Sequence, residues 1–458
     1  MWKGVWNQIG SGLELAYLAH IDIYLALPCM KRIQDSKILN RLHDLLVILF
    51  FVGFIFDIRF IVGFSTIMMA ANAFLVNRLE TGKWWNPALF NLFTVGLVLY
   101  FALAAIALLY TKNLPRGFAI FQTNLGMIVL PVGVIYSSLV NRQSYSRWMK
   151  AYIVILFTAT VLAIVHAAIL YNRHHDASVF FYHNLVGLYS KHAIQFSVIV
   201  FIGLLFLIQE YSSLLFFRNK TRIILGIVYF SFFLFLLSSK LVISIYVLYL
   251  LYLFSFTDIF FRRRDYRFAG LFIFIALMTG VFTTDTPIKK RMQEDWDARI
   301  SKIGQQKFSP ADYFTGVQFR MLSWRFAYEI LNEKHAWVLG LSPGDSQDIL
   351  NEKYTRENMF IGGAPENKTG FLGYHTHNQF LQAVLETGVF GLAFFIIACA
   401  GLIRLAKKLA QGSFTVFVIL LLCNCFTDAP LETQYGIILF VFFPLLMYQG
   451  SQEVTGSN

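Results

Sequence analysis

The sequence predicts an all-α membrane protein whose chain crosses the bilayer many times. Of its 458 residues, 57% are hydrophobic, and the mean hydropathy is +0.59. Charged residues are only 14%, whereas soluble proteins carry roughly 25%. The apolar residues also form runs close to the ~20 residues that a spanning helix needs. These observations together exclude an ordinary soluble globular domain.

About twelve apolar segments are predicted to span the membrane. Their limits are 42–57, 60–77, 90–111, 121–140, 150–171, 194–213, 221–238, 241–259, 267–283, 383–406, 413–429 and 434–449. The stretch from Leu13 to Pro28 is apolar but contains Glu14, His20 and Asp22. We interpret it as an interfacial or re-entrant helix, with a thirteenth span as the alternative.

Orientation follows from the loop charges. Lys and Arg concentrate in alternate loops, such as the run Arg262, Arg263 and Arg264. Positively charged loops stay in the cytoplasm, which places the N-terminus inside. The formal net charge of +12 is therefore explained by topology, and it does not indicate a nucleic-acid partner.

This plan divides the chain into five parts. A cytoplasmic or interfacial segment (1–41) precedes nine membrane helices (42–284), a large periplasmic loop (285–382), three more helices (383–450) and a cytoplasmic tail (451–458). The loop is the one polar region of any size, and its aromatic residues indicate order. We expect short helices in it, for example Phe319 to Glu329.

The four cysteines give no disulfide framework. Cys399, Cys423 and Cys425 lie in apolar segments, and Cys29 precedes a basic pair. Such cysteines usually behave as small hydrophobic residues. No metal-ligand spacing accompanies them, so no metal site is predicted.

The stretch "GYHTHNQFLQAVLETGVFG", Gly373 to Gly391, places two histidines before an apolar helix. From His377, Gly388 and Gly391 lie 11 and 14 residues on, close to three and four helical turns. If the helix begins near His377, all three share a face, and the glycines allow a neighbouring helix to approach. The alternative is that both histidines are interfacial residues without chemistry.

His377-Asn378, nine residues and then Gly388-x-x-Gly391 are similar to the motif of the bacterial O-antigen ligase and polymerase superfamily. "FRMLSW", with Arg320 and Trp324, resembles an Arg-x-x-x-Trp element of that family's outer loop. "LGLSPGD" resembles the glycine-rich turn that follows; its members are Gly340, Gly344 and Asp345. "LLSSKLVISIYVLYL" resembles a Ser-Arg segment that opens a span, with Lys240 in place of the arginine.

The resemblance implies a GT-C type glycosyltransferase of the bacterial inner membrane. Such an enzyme moves a glycan from undecaprenyl diphosphate to an acceptor hydroxyl on the periplasmic side. For a ligase, the acceptor is a sugar of lipid A–core. The resemblance also implies inversion at the transferred carbon, with no metal and no cofactor.

Chemistry assigns a role to each residue of the resemblance. A sugar hydroxyl needs a general base near neutral pH, for which we choose His377 and keep His375 as a second candidate. Asn378 would orient that base or bind sugar. Cations stabilise a departing diphosphate, which is the role of Arg320 and Lys240. Solvated or interfacial charges are the alternatives for these two. Trp324 and the glycines are expected to be structural.

Other functions stay open at this point. A polymerase or a protein O-glycosyltransferase of the same superfamily fits the same motifs. A transporter or flippase is the alternative of another class, but it would require ionisable residues near mid-membrane. Most of the predicted spans carry no ionisable residue, and the one long polar segment is the predicted outer loop. The sequence thus favours an enzyme whose partners are a lipid-linked glycan, a glycan acceptor and membrane lipids.

Overall fold

The computed structural model is helical in the part of the chain that it describes. That part comprises residues 37–84, 86–135, 139–189, 191–213, 219–260, 300–312, 314–363 and 370–452, with isolated positions between 261 and 299. The predicted interfacial helix from Leu13 to Pro28 and Cys29 lie outside it, as does most of the predicted span 267–283.

Fourteen helices organise these residues. In chain order they are α1 (Lys37–Phe56), α2 (Arg59–Thr81), α3 (Leu92–Ala107), α4 (Leu114–Asn124), α5 (Gly126–Ile135), α6 (Arg142–His174), α7 (Ala193–Ser213), α8 (Lys220–Leu236), α9 (Lys240–Phe256), α10 (Gly316–Glu333), α11 (Pro343–Arg356), α12 (Gln379–Leu409), α13 (Gly412–Thr427) and α14 (Gln434–Gln452).

Eight helices in the described ranges are long and apolar enough to cross a membrane, counting α4 and α5 as one. The apolar helices α9 and α13 are shorter, and α8 covers a further predicted span. A helix therefore occupies eleven of the twelve predicted segments, and the twelfth, 267–283, lies mostly outside the described residues. The predicted span 121–140 is not one continuous helix. Its residues are divided between α4 and α5, which meet at Leu125.

The outer surface of the bundle is apolar. Phe60 is 80% exposed and Leu109 is 87% exposed, although both lie on or next to spanning helices. Inside, Phe50, Phe51 and Phe443 are buried in an aromatic cluster. Large apolar side chains on both sides of a helix are expected where its outer face meets lipid.

Small residues bring α3 and α12 into close contact. A Cβ at Gly96 would overlap the backbone of Ala398, and one at Gly401 would overlap the backbone of Phe93. Helices in a membrane pack through such small residues, because lipid tails offer no hydrophobic driving force for their association. This contact fixes α12, the helix that follows the two histidines, within the bundle.

The helices α10 and α11 form a cap over one end of the bundle. They have their own apolar core, which contains Phe326 and Tyr354 and extends to Leu385 of α12. A buried lysine, Lys353, joins the two helices by ion pairs with Glu329 and Glu333, both at 2.8 Å. The predicted helix Phe319–Glu329 lies within α10.

A glycine-rich turn holds this cap on the membrane helices. Asp345 accepts hydrogen bonds from the backbone N–H groups of Lys112 and Asn113, at 2.8–3.0 Å. Gly344 packs against the same turn, where a Cβ would collide with the Thr111 hydroxyl. Gly340, with φ of +72°, lies against the backbone of α12. These three members of "LGLSPGD" thus lie in a docking turn.

Candidate active site

The two histidines lie in a short segment that the cap holds against α12. The carbonyl of Tyr374 accepts hydrogen bonds from Gln347 and Tyr354 of α11, at 2.9 and 3.0 Å. The hydroxyl of Ser323 on α10 donates to the carbonyl of Thr376, at 3.0 Å. These hydrogen bonds to the residues on both sides of His375 hold the backbone of the segment against the cap.

Asn378 determines where the helix begins. Its side-chain Oδ1 accepts a hydrogen bond from the N–H of Leu381, so Asn378 is the N-cap and Gln379 is the first helical residue. N-terminal N–H groups lack intrahelical partners, and asparagine is one of the side chains that best replaces them. His377 therefore precedes the helix, in the left-handed region with φ of +48°.

His375, His377 and Asp428 form a cluster, called here the imidazole–carboxylate cluster. Oδ1 of Asp428 lies 3.4 Å from Nδ1 of His377 and 3.6 Å from Nε2 of His375. The two imidazole rings are 4.4 Å apart between centroids. Asp428 caps the C-terminus of α13, and its Oδ1 also accepts from the N–H of Ala429 at 2.9 Å. The cluster thus joins the ends of two membrane helices.

The hydrogen bonds distinguish the two imidazoles. Nδ1 of His375 accepts the backbone N–H of His377 at 3.0 Å, so in the neutral ring the proton is on Nε2, facing Asp428. His377 turns Nδ1 toward the same carboxylate, which leaves its Nε2 without a hydrogen-bond partner among the described residues. Of the two candidates from the sequence, His377 is the one with an imidazole nitrogen available to accept a proton.

Electrostatics agree with this assignment. Burial raises the pKa of Asp428, but the hydrogen bond from His377 and the charges of both imidazoles outweigh it and hold that pKa at about 2. Burial, together with the neighbouring His377, lowers the pKa of His375 to about 4. At neutral pH, the carboxylate is ionised and His375 is uncharged.

Arg320 approaches the cluster from α10. Its Nε donates to the carbonyl of Thr427 at 2.7 Å, immediately before Asp428, and Nη1 donates to the carbonyl of Gly316 at 2.9 Å. Its charge is close enough to help lower the pKa of His375. The guanidinium has five N–H donors, so these two bonds leave others available to a ligand.

Aromatic side chains surround the catalytic candidate. The ring of Phe319 meets that of His377 edge to face at a centroid distance of 5.8 Å, and Tyr374 lies at the same distance. Trp324 lies one turn after Arg320 on α10, as the spacing predicts. Its Nε1 is buried and has no hydrogen-bond partner among the described residues.

The expectation that His377, Gly388 and Gly391 share one helix face is wrong. Gly388 has φ of +69° and ψ of −165°, which interrupts the helix between His377 and Gly391. A Cβ at Gly388 would overlap the carbonyl of Val338, which lies between the cap helices α10 and α11. A Cβ at Gly391 would overlap Thr387 of its own helix. Gly388 therefore allows the helix to break and the segment between α10 and α11 to approach it. We had expected a neighbouring membrane helix at this position.

Lys240 is the first residue of α9. The hydroxyls of Tyr249 on α9 and Ser413 on α13 are 3.2 Å apart, which brings the middle of α9 to the first turn of α13. That Lys240 lies near the leaving diphosphate stays a prediction.

The imidazole–carboxylate cluster is also able to hold a metal ion. The candidate ligand atoms of His375, His377 and Asp428 all lie within 4.8 Å of one another. Two imidazoles and a carboxylate suit zinc or iron, whereas the positive charge of Arg320 opposes a cation. The sequence predicts no metal site, because the third candidate ligand, Asp428, follows α13 and is distant in sequence from the two histidines.

Sequence reasoning missed Asp428 and Glu386. Asp428 is 51 residues from His377 and was included in the predicted span 413–429, although α13 ends at Thr427. An acid at the end of an apolar run was the signal available. Glu386 is buried in α12 and accepts a hydrogen bond from Gln382 at 2.7 Å. The spanning helix α12 therefore carries a buried ionisable residue.

One comparison with known families gives a match. Residues 185–396 match the family model described as O-antigen ligase. The matched region runs from the segment before α7, through the cap, to Ile396 of α12, beyond the break at Gly388, and it contains His375 and His377. No curated protein matches the chain.

Proposed function

We propose that the chain, whose residues 185–396 match the O-antigen ligase family model, moves a glycan from undecaprenyl diphosphate to an acceptor hydroxyl at the bacterial inner membrane. The family supports the reaction class, that of O-antigen ligases and polymerases. We further propose that the acceptor is a sugar of lipid A–core and that the site faces the periplasm. The lipid-linked donor reaches such a site from within the bilayer.

One observation carries the proposed mechanism. Nε2 of His377 has no partner among the described residues, while Nδ1 faces the ionised Asp428 at 3.4 Å. A base oriented by a carboxylate is the arrangement used to activate hydroxyl nucleophiles. In the proposed step, Nε2 takes the acceptor's proton as the acceptor oxygen bonds to the anomeric carbon. The bond from that carbon to the diphosphate breaks on the opposite face, which inverts the configuration.

Charge accounts for the remaining residues. As the base gains a proton, the negative Asp428 stabilises the imidazolium. The leaving diphosphate gains negative charge, which the free N–H groups of Arg320 would stabilise. Lys240 would add a second positive charge. The Oδ1 atom of Asn378 is occupied by capping, so only its amide nitrogen is available to a sugar.

Purified protein, a glycan on undecaprenyl diphosphate and candidate acceptors test this proposal. We expect transfer to lipid A–core, unchanged by a metal chelator, with one glycan added to each acceptor. Growth of the glycan on its own lipid carrier would instead identify a polymerase. Loss of transfer on chelation, restored by zinc, would contradict the metal-free mechanism and assign the imidazole–carboxylate cluster to a metal.

A further inference from the structure

A polar cavity is lined in part by the end of the loop between α13 and α14, and no residue of the imidazole–carboxylate cluster lines it. Its volume is about 380 Å³, which is within the range of small-molecule sites. We call it the interfacial cavity. Its lining residues include Asp57, Arg59, Lys191, Glu432 and Tyr435.

The position of the interfacial cavity corresponds to the level of lipid headgroups. The spanning helix α1 ends at Phe56, α2 begins at Arg59, and α14 begins at Gln434. Three spanning helices therefore end or begin around it. A cavity at the ends of spans faces the polar region of a bilayer, whereas one at mid-helix faces hydrocarbon.

An apolar groove continues from this cavity along the helices. The groove has a volume of about 340 Å³ and is lined by side chains such as Ile67, Leu130 and Ile437 from α2, α5 and α14. Thr123, Gln434 and Ile438 line both spaces, so the two adjoin. A polar cavity joined to an apolar groove fits an amphiphile, with its head in the cavity and a chain in the groove.

The cations of the cavity favour an anionic head. The Lys191 side chain is only 3% exposed, and its Nζ lies 3.5 Å from Asp57 and 4.3 Å from the Tyr435 ring centroid. Arg59 is exposed at the rim and has no hydrogen bond or ion pair among the described residues. Burying a charged lysine in a cavity wall is costly, which a bound anion would offset.

The charge balance points to a single negative charge. Burial lowers the pKa of Lys191 to about 8, so it is mostly protonated at pH 7. Burial and the neighbouring Glu386 raise the pKa of Glu432 well above its usual range, which favours its neutral form. The charges of Lys191 and Arg59 then exceed that of Asp57 by one. A monoanionic phosphodiester matches this balance better than a diphosphate does.

We propose that the interfacial cavity and its groove bind an anionic phospholipid, with the phosphate between Arg59 and Lys191 and an acyl chain along α2 and α5. None of the residues that line this site is among those proposed to bind donor or acceptor. Its occupant would contact Thr433 and Gln434, at the end of the loop that carries Asp428. The bound lipid would therefore stabilise that loop.

The test uses the full chain in nanodiscs of phosphatidylcholine with added phosphatidylglycerol, followed by native mass spectrometry of retained lipid. We expect selective retention of phosphatidylglycerol. Arg59→Gln and Lys191→Met should each weaken it on the order of tenfold, since each removes a charge-assisted contact. Arg173→Gln is the matched control, because Arg173 is an exposed arginine at the end of α6 that does not line the cavity. Arg59→Gln keeps the test valid if Lys191→Met does not fold.

Several results would overturn the proposal. Equal retention of phosphatidylcholine would remove the requirement for an anionic head. Unchanged retention in both variants, or an equal loss in Arg173→Gln, would show that the cavity does not hold the phosphate. Binding of glycerol 3-phosphate as tight as that of the lipid would exclude the groove. Undecaprenyl diphosphate could also displace phosphatidylglycerol and require Lys191 for its binding. That result would assign the cavity to the glycan donor. It would leave the role of His377 in glycan transfer to be tested separately.

Discussion

Replacing Asp428 by Asn gives the sharpest test of the proposed catalytic base. Asparagine keeps the shape of the side chain, and its Oδ1 can still accept the Ala429 N–H group that now bonds to it. It loses the negative charge that faces Nδ1 of His377 at 3.4 Å. At an effective dielectric constant near 20, this charge pair is worth about 5 kcal/mol. The Asp428 side chain is 35% exposed, so we reduce this figure to about 2 kcal/mol for screening by solvent.

A loss of about 2 kcal/mol in the transition state lowers kcat roughly 30-fold. The charge on His377 exists only after proton transfer, so kcat should fall while KM changes little. Steady-state transfer by purified protein measures both. Asp176→Asn is the control, because Asp176 is exposed and bonds locally to Ser178. A folded Asp428→Asn protein with kcat within about threefold of wild type would show that the Asp428 charge does not assist proton transfer to His377.

Three further predictions follow from the same geometry. Gly388→Ala should lower the free energy of unfolding by about 1–3 kcal/mol in a denaturant titration, because φ is positive there and a backbone carbonyl fills the space that a Cβ needs. Gly63→Ala is the control, because the space around Gly63 is open and its substitution should leave the free energy of unfolding unchanged. Arg320→Lys keeps the charge but loses the Nε bond to the Thr427 carbonyl; we expect kcat to fall about tenfold, and full activity would contradict this. The pKa of His375, about 4 in the fold against about 6.5 unfolded, means that the unfolded chain binds the proton more tightly. Stability should therefore fall by up to roughly 3 kcal/mol as pH drops from about 6.5 to about 4, and His375→Asn should flatten that slope; an equal slope in the variant would exclude the assignment.

The membrane helices could be predicted from the sequence because the bilayer imposes a length and a composition on each one. The helix α7, Ala193–Ser213, coincides with the predicted span 194–213 within one residue. Errors arose where hydropathy carries no signal. The junction of α4 and α5 at Leu125 follows the polar residues Gln122, Thr123 and Asn124. The stretch Leu114–Ile135 is nevertheless apolar enough to count as one span, so hydropathy alone does not place the junction.

The site could be predicted only in part. A local motif identified His377, and its position before the helix follows from the capping preference of Asn378. Gly388 misled the prediction, because glycine is compatible with helix and with φ above zero. Asp428 is brought to His377 by the packing of α12 against α13. A single sequence records no such long-range contact, so the partner of the base could not be identified.

The central claim is that Nε2 of His377 accepts the acceptor's proton. Single-turnover transfer by His377→Gln, with donor binding measured separately, tests it most directly. General-base catalysis typically contributes 10²–10⁴-fold. We expect the rate of the chemical step to fall by at least about 100-fold, while the affinity for undecaprenyl-diphosphate glycan stays within about threefold of wild type. A folded variant that binds donor and transfers glycan at the wild-type rate would contradict it.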